Sequence, residues 1–546
     1  MTFVDYLIQK LINNGVTDVF GIPGGVVLDF LDCTNRTEGI APHLSYHEQA
    51  AAFEACGYAQ VNHTLGVAYA TRGPGFTNMI TGIADAYADS IPVLFLTGHS
   101  GAAVSHSMRF EKDQEMDTVS MVKHITKYAV AIETECEFWK IDEAIHIALA
   151  ERKGPVFLDI SSSLWNKNVE IFTEANSQDE KKIETTIPKL SHYKRPVLLV
   201  GDGIRQSNSL HDVIRFAEKH MLPVISSRCS EDVGSNCNNY YGYVGSHGMR
   251  AANFIFDKAD LVIALGNRMA FSPESKSFAK SLRNKQIIRV DIDERELKRE
   301  FPNTINCCCD IKDFILNIDN VQFSSCEQWL NYCKQLKETL HGFDSCETVE
   351  RICDVLCETP EDSVIVADVG NNEFWVAQAY ILAEVKNRIL YSKAFGVLGN
   401  AVCKSIGAYY ATRKPVICFI GDQGFQLNVQ ELQLVSQEQL PITICIINNR
   451  ASGMIRDRQI VKYGECCGTT PETGFDCPNI KKIANAYDIE YRTQFKKSNE
   501  PLIVELMIDE DVVLKPNLPV GNSCKEMEPL VPDDVFQLLD EGMRDE

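Results

Sequence analysis

Val416-Ile417-Cys418-Phe419-Ile420-Gly421-Asp422 and, further on, Ile442-Thr443-Ile444-Cys445-Ile446-Ile447-Asn448-Asn449 decide the fold. Each is an unbroken apolar run of strand length that ends in a polar turn. Between them, Gln430 to Glu438 is polar with Leu432 and Val435 facing one way, the pattern of a connecting helix. Strand, helix, strand makes a βαβ unit and predicts a parallel sheet. Asp422 and Asn449 then stand at neighbouring strand ends, where open α/β sheets bind ligands. A carboxylate and an amide are hard oxygen donors, suited to a Mg²⁺ that keeps positions free for phosphate oxygens. On spacing alone, two polar turns after buried strands explain the same residues equally well.

At 546 residues the chain exceeds what one core holds, and roughly two to four domains are expected. The net charge of −22 argues against a nucleic-acid or anionic-membrane partner. No run of about 18 apolar residues occurs, and Met1-Thr2-Phe3-Val4-Asp5 lacks the basic and apolar regions of a signal peptide. A soluble, cytoplasmic protein is expected. The 20 cysteines are scattered, and Cys418 and Cys445 sit inside strands as small hydrophobes. Cys307-Cys308-Cys309 and Cys466-Cys467 lack paired zinc-ligand spacing, so reduced thiols are expected.

Three segments emerge. Residues 1–165 alternate helices with short strands such as Val93-Leu94-Phe95-Leu96-Thr97, and a charged linker runs from Asn166 to about Pro188. Residues 190–330 open on the buried strand Pro196-Val197-Leu198-Leu199-Val200. Residues 345–520 carry the Asp422 and Asn449 turns, and 521–546 form an acidic tail, helical or frayed at its end. The fold class is therefore α/β, with three doubly wound parallel-sheet domains.

A second feature separates the two explanations of Asp422 and Asn449. Ser45-Tyr46-His47-Glu48-Gln49-Ala50-Ala51-Ala52-Phe53-Glu54-Ala55-Cys56-Gly57-Tyr58-Ala59 starts a small-residue helix with an acid, and Thr71-Arg72-Gly73-Pro74-Gly75-Phe76-Thr77-Asn78 follows. Together with the first motif, these stretches resemble thiamine diphosphate enzymes of the acetolactate synthase-like family, from Phe20-Gly21-Ile22-Pro23-Gly24-Gly25 to about residue 510. The resemblance implies pyrimidine-binding, central and diphosphate-binding domains. It also implies a cofactor shared between the first domain of one subunit and the third of another, hence at least a homodimer.

It implies roles for single residues as well. Asp422 and Asn449, with the carbonyl of Ala451, would hold Mg²⁺. Gly421, Gln423, Gly424 and Met454 would complete that end of the cofactor site, and Gly370, Asn371 and Asn372 would contact the diphosphate. In Gly396-Val397-Leu398-Gly399, Leu398 would be the apolar wedge behind the bent cofactor. Glu48 would work on the aminopyrimidine, and burial among Ala50, Ala51, Ala52 and Phe53 would raise its pKa. Gly25 would bring backbone against the reaction centre, and Gln114 matches an active-site glutamine. His99 replaces another glutamine, where it would serve as acid or base or make a structural contact.

The departures from the family concern the turn and the acceptor. Gln423 stands where the family has glycine, so either Gly424 takes up the turn or cofactor binding is weakened. The segment after the Asp159-Ile160 strand is Ser161-Ser162-Ser163, without the lysine of acetolactate synthases. Arg458 stands where they have tryptophan; a guanidinium in the pocket favours a carboxylate or phosphate, and the alternative is an arginine turned to solvent. Other segments resemble members linked to modified-sugar biosynthesis, some of which transfer a two-carbon acyl unit to a ketosugar nucleotide. Gly201, Gly203, Arg268 and Asp291 fall on positions that bind FAD in acetolactate synthases, but Ser272 replaces a further arginine, so FAD stays open. The expected activity is decarboxylation of a 2-oxo acid such as pyruvate, with acyl transfer to a carbonyl acceptor. A plain decarboxylase, a flavin oxidase and a non-catalytic regulatory homologue are the alternatives.

Overall fold

The computed structural model describes residues 1–100, 112–170, 189–270, 276–324 and 326–542. Apolar runs four to seven residues long become fully buried strands, as parallel sheets covered on both faces require. Three six-stranded sheets result. The first contains β1 (Asp18–Gly21), β2 (Ala41–Leu44), β3 (Gly66–Tyr69), β4 (Val93–His99), β5 (Tyr128–Ile132) and β6 (Val156–Ser161), in the order β2-β1-β3-β4-β6-β5. The second contains β7 (Pro196–Val200), β8 (Val224–Ser227), β9 (Tyr240–Val244), β10 (Leu261–Leu265), β11 (Gln286–Asp291) and β12 (Thr304–Cys308), in the order β12-β11-β10-β7-β8-β9. The third contains β13 (Val364–Ala367), β14 (Arg388–Leu390), β15 (Val416–Gly421), β16 (Ile442–Asn448), β17 (Glu490–Arg492) and β18 (Leu502–Met507), in the order β14-β13-β15-β16-β18-β17.

The βαβ reading of the opening stretch holds: β15 and β16 pair in parallel, Gly421 opposite Ile447. The strand orders reverse between β1 and β3, β7 and β10, and β13 and β15, and the first and third sheets exchange their last two strands at the far edge. Those reversals open the crevices where such sheets take ligands.

The three sheet domains are gathered into two compact units. One holds the first sheet and most of the third; the other holds the second sheet, Glu373–Ile389 and the C-terminal segment from Val512. In the second unit the tail is no loose end. Arg250 donates to the carbonyls of Met527 (2.8 Å) and Pro529 (2.6 Å), and the helix Asp533–Glu541 follows. Among the described residues no helix is long and apolar enough to cross a membrane.

Within the first unit, the helices Glu48–Asn62 and Ala401–Thr412 cross at glycines. A side chain on Gly57 would collide with the backbone of Lys404, and one on Gly407 with the carbonyl of Glu54. Beside this crossing Lys404 is fully buried, with Nζ 2.9 Å from Asp85 and donating to the Tyr391 carbonyl at 3.1 Å. Burial alone would lower its pKa, but Asp85 and Asp89 together outweigh that and raise it. Asp89 accepts from the backbone N–H groups of Lys393 and Ala394, both at 2.7 Å. The segment leading to Leu398 is therefore clamped by acids of the Pro74–Asp89 helix.

Candidate active site

At the reversal of the third sheet, Asp368, Asp422 and Asn449 follow β13, β15 and β16. Asp422 begins the short helix Asp422–Leu427 and is buried, with Oδ1 accepting from the Gln423 N–H at 2.8 Å. Among the described residues its buried Oδ2 has no hydrogen-bond partner. Burial raises the pKa of this carboxyl to about 6, opposed in part by the backbone N–H groups of Gln423, Arg450 and Ala451. Asn449 is buried, and its side-chain oxygen accepts from the Ala451 N–H at 3.2 Å. Asn371 is also buried, and its side-chain N–H group has no partner. A Cβ on Gly453 would lie 2.9 Å from the Asn449 amide nitrogen and 3.1 Å from that of Asn371. Glycine there keeps a cradle open between two amides. An unpartnered buried carboxylate oxygen beside oxygen donors fits a hard divalent cation, and the open amides fit phosphate oxygens. Asp422, Asn449 and the Ala451 carbonyl would hold Mg²⁺, and Asn371 would face the diphosphate.

Gln423 is an ordinary helical residue with a backbone that any side chain adopts. Gly424 takes up no left-handed turn. Its role is close approach, since a Cβ there would lie 3.3 Å from Asp368 Oδ1. Asp368 itself is fully buried and accepts from the N–H groups of Val369 (2.8 Å), Gly399 (3.0 Å) and Ala401 (3.1 Å). Burial raises its pKa to about 6 against those three donors. It thereby holds the 396–399 loop, where Gly396 and Gly399 have φ of 69° and 81° and bracket the half-buried Leu398. Asn372 ties the ends of β13 and β15 by donating to the carbonyls of Asp368 (2.8 Å) and Phe419 (3.2 Å). Gly370 makes the turn before it, at φ 83°. Met454 is half-buried in the helix Gly453–Tyr463.

On the first sheet, Glu48 opens its helix after β2 and accepts from the Asn78 side chain at 2.9 Å. That bond joins the two quoted motif stretches. A Cβ on Gly75 would stand 3.2 Å from Glu48 Oε1, so glycine lets the loop lie against the acid. Glu48 is half-buried, not buried among the alanines as its flanking sequence suggests. Ala50, Ala51, Ala52 and Phe53 point into the core, whereas the first residue of the helix stays at its mouth. Gly25 follows β1 in an exposed turn with open space where a Cβ would be. Gln114 is exposed at φ 63°, against the backbone of Gly73.

His99, at the end of β4, is buried with Nδ1 3.1 Å from Asp159 and Nε2 3.0 Å from Glu133. Burial would lower its pKa, but the two carboxylates outweigh burial and push it up to about 9. Both ring nitrogens are engaged, so the geometry is that of the structural contact.

Arg458 requires a correction. It is exposed on the helix Gly453–Tyr463, and the buried guanidinium of that helix is Arg456, paired with Asp457 at 2.6 Å. Helical periodicity puts positions 456 and 458 about 200° apart, so burying one exposes the other. In the second unit, Gly201 and Gly203 lie at the sheet reversal, but a side chain on either would run into Gly266. Loop-on-loop packing therefore accounts for these glycines without a nucleotide. Arg268 is exposed, 3.8 Å from Glu296, and Asp291 accepts from the Asp293 N–H at 2.9 Å. Ser272 lies outside the described residues.

Comparison with known proteins matches three family models. They are the thiamine pyrophosphate enzyme N-terminal TPP binding domain (residues 1–121), central domain (183–318) and C-terminal TPP binding domain (368–513). The chain is 32% identical to the acetolactate synthase large subunit of Lactococcus lactis subsp. lactis, with 95% of each chain covered. It is 29% identical to the probable acetolactate synthase large subunit of Methanococcus aeolicus, covering 94% of this chain and 91% of that protein. It is also 29% identical to the acetolactate synthase isozyme 2 large subunit of Escherichia coli, covering 96% and 99%.

Proposed function

The chain belongs to the thiamine pyrophosphate enzyme family, as an acetolactate synthase-like transferase or carboligase, and from that premise we propose that it decarboxylates pyruvate and passes the acyl carbanion to a carbonyl acceptor. The observation that carries this reading is the buried Asp422 Oδ2 without a hydrogen-bond partner, beside the Asn449 and Asn371 amides that Gly453 leaves uncovered. Thiamine diphosphate, when bound, supplies the carbanion-stabilising chemistry. The chain's residues supply the rest. Asp422, Asn449 and the Ala451 carbonyl would hold Mg²⁺ and the Asn371 amide would orient the diphosphate, while the Asn372 side chain holds the strand ends beneath them. Leu398 would pack behind the cofactor, and the Glu48 carboxyl would hold or give up a proton at the aminopyrimidine. The first-sheet half of the site in one chain works with the third-sheet half of a second copy, which makes the functional unit at least a homodimer.

A larger hydroxylated acceptor, such as a ketosugar, has one specific feature in its favour. Ser161-Ser162-Ser163 offers hydroxyls where acetolactate synthases have a lysine, and Ser161 and Ser163 lie 3.1 Å apart through their hydroxyls. Mass spectrometry of products from pyruvate alone, and from pyruvate with aldehydes or ketosugars, tests both readings. The proposal expects carbon–carbon bond formation with one of these acceptors. Acetaldehyde as the only product would reduce the protein to a simple decarboxylase, and no pyruvate consumption with the cofactor and Mg²⁺ present would remove the proposal.

A further inference from the structure

Glu48 stands on the turn Ser45-Tyr46-His47, between β2 and its helix, and two buried carboxyl groups hold that turn. Glu54, from the same helix, is fully buried; its Oε2 accepts from the Ser45 hydroxyl at 2.6 Å. Glu431, at the end of the turn Val429–Glu431, is also fully buried. Its two oxygens accept the Tyr46 N–H at 3.1 and 3.2 Å. The two carboxyl groups hold consecutive residues of one turn and act on each other as neighbouring charges, and among the described residues Glu54 Oε1 is buried without a donor. Two carboxylates cannot both be ionised at such a contact unless a cation sits with them. Among the described residues Tyr69, Cys403, Tyr410 and Glu438 face the pair, the Gln430 side chain and the His47 backbone N–H act on Glu431, and no lysine or arginine is among them. His43 stands 3.9 Å from Glu438 and Arg413 lies over the Tyr410 ring, but each is paired with Asp18 at 2.7 Å.

We propose that Glu54 is protonated and donates to Glu431, and that this shared proton fixes the Ser45–His47 turn, making both acids positioning residues for Glu48. The neutral Glu54 fills its unpartnered Oε1, and the anionic Glu431 keeps its hold on the Tyr46 N–H. Burial supports the assignment, raising Glu54 well above the usual carboxylate range and Glu431 to about 7. Glu431 ionises as pH rises through about 7, which leaves a protonated Glu54 beside an anionic Glu431; Glu54 is raised further, so the shared proton is lost only at more alkaline pH. Two anions then repel, and the turn loosens.

The proposal rests on Glu48 being the residue that works on the cofactor, so its test includes a reading independent of turnover. Infrared difference spectra of the unmodified protein and Glu54→Gln, at neutral and at alkaline pH, should show a protonated carboxyl band that is lost in the variant. The band in the unmodified protein should fade as pH rises. Turnover of the unmodified enzyme should fall on the alkaline side while Glu54→Gln keeps its neutral-pH rate within about twofold and loses that fall, because an amide donates to Glu431 at every pH. Glu431→Gln should lose roughly tenfold in kcat at neutral pH, the worth of one buried charged hydrogen bond. A spectrum with no band assignable to Glu54, or a Glu54→Gln profile that declines like the unmodified one, overturns the proposal. So does a Glu54→Gln chain that fails to fold, since replacing a neutral acid by its amide removes no charge. If the band behaves as expected while Glu48→Gln remains active, the pair stands and the role of Glu48 is what fails.

Discussion

Asp422→Ala should lose Mg²⁺-dependent binding of thiamine diphosphate by more than about a hundredfold, beyond the loss seen when only an outer partner of a metal ligand is changed. The carboxylate is the one charged oxygen donor at the end of β15, and its Oδ2 is buried with no partner. Alanine leaves the Asn449 oxygen and a carbonyl, too little negative charge to hold a divalent cation against water. The folded state should survive and even gain slightly, because the variant removes a carboxyl that burial disfavours. Cofactor-induced thermal stabilisation measures the effect, and Gln423→Gly serves as the control. Gln423 is an ordinary helical residue, so the control should keep the stabilisation seen in the unmodified chain. Equal stabilisation of Asp422→Ala would mean that the metal sits elsewhere.

Glu48→Gln should fold and bind the cofactor as before but turn over at least about a hundredfold more slowly, the scale of lost acid–base catalysis. An amide preserves the size of the side chain and its contact with Asn78, which the structure places at 2.9 Å. What it removes is the carboxyl that exchanges a proton. Steady-state rates with pyruvate, measured at saturating cofactor, give the comparison. A variant within about threefold of the unmodified rate would leave Glu48 with only the helix N-terminal role that any acid can play there.

The strand ends were legible in the sequence because a fully buried parallel strand is an unbroken apolar run, and its end is marked by the first polar residue. That is why Asp422 and Asn449 could be placed on neighbouring strands before any coordinates. Glu48 and Asn78 were legible as two stretches, but the hydrogen bond joining them was not, since it depends on how a loop folds onto a helix end. Asp368 escaped notice because an acid at the end of Val364-Ile365-Val366-Ala367 reads as a strand terminus. Two of its three bonds to backbone N–H groups reach across to residues 399 and 401. Glu54 carried a signal that sequence reading passed over, a single acid inside Ala51-Ala52-Phe53-Glu54-Ala55, where full burial demands a partner. Its partner Glu431 comes from the third sheet and has no local signature. Arg458 misled for the opposite reason: alignment with the family's tryptophan fixes the position along the helix, not the face that is buried. The two-unit organisation was hidden because the glycine crossing at Gly57 and Gly407 joins segments far apart in the chain.

Calorimetric titration of thiamine diphosphate into the purified chain, with Mg²⁺ and again with excess chelator, tests the central claim most directly. The account predicts saturable binding with Mg²⁺ that disappears when the metal is removed. No binding under either condition, or the same affinity in both, would contradict it.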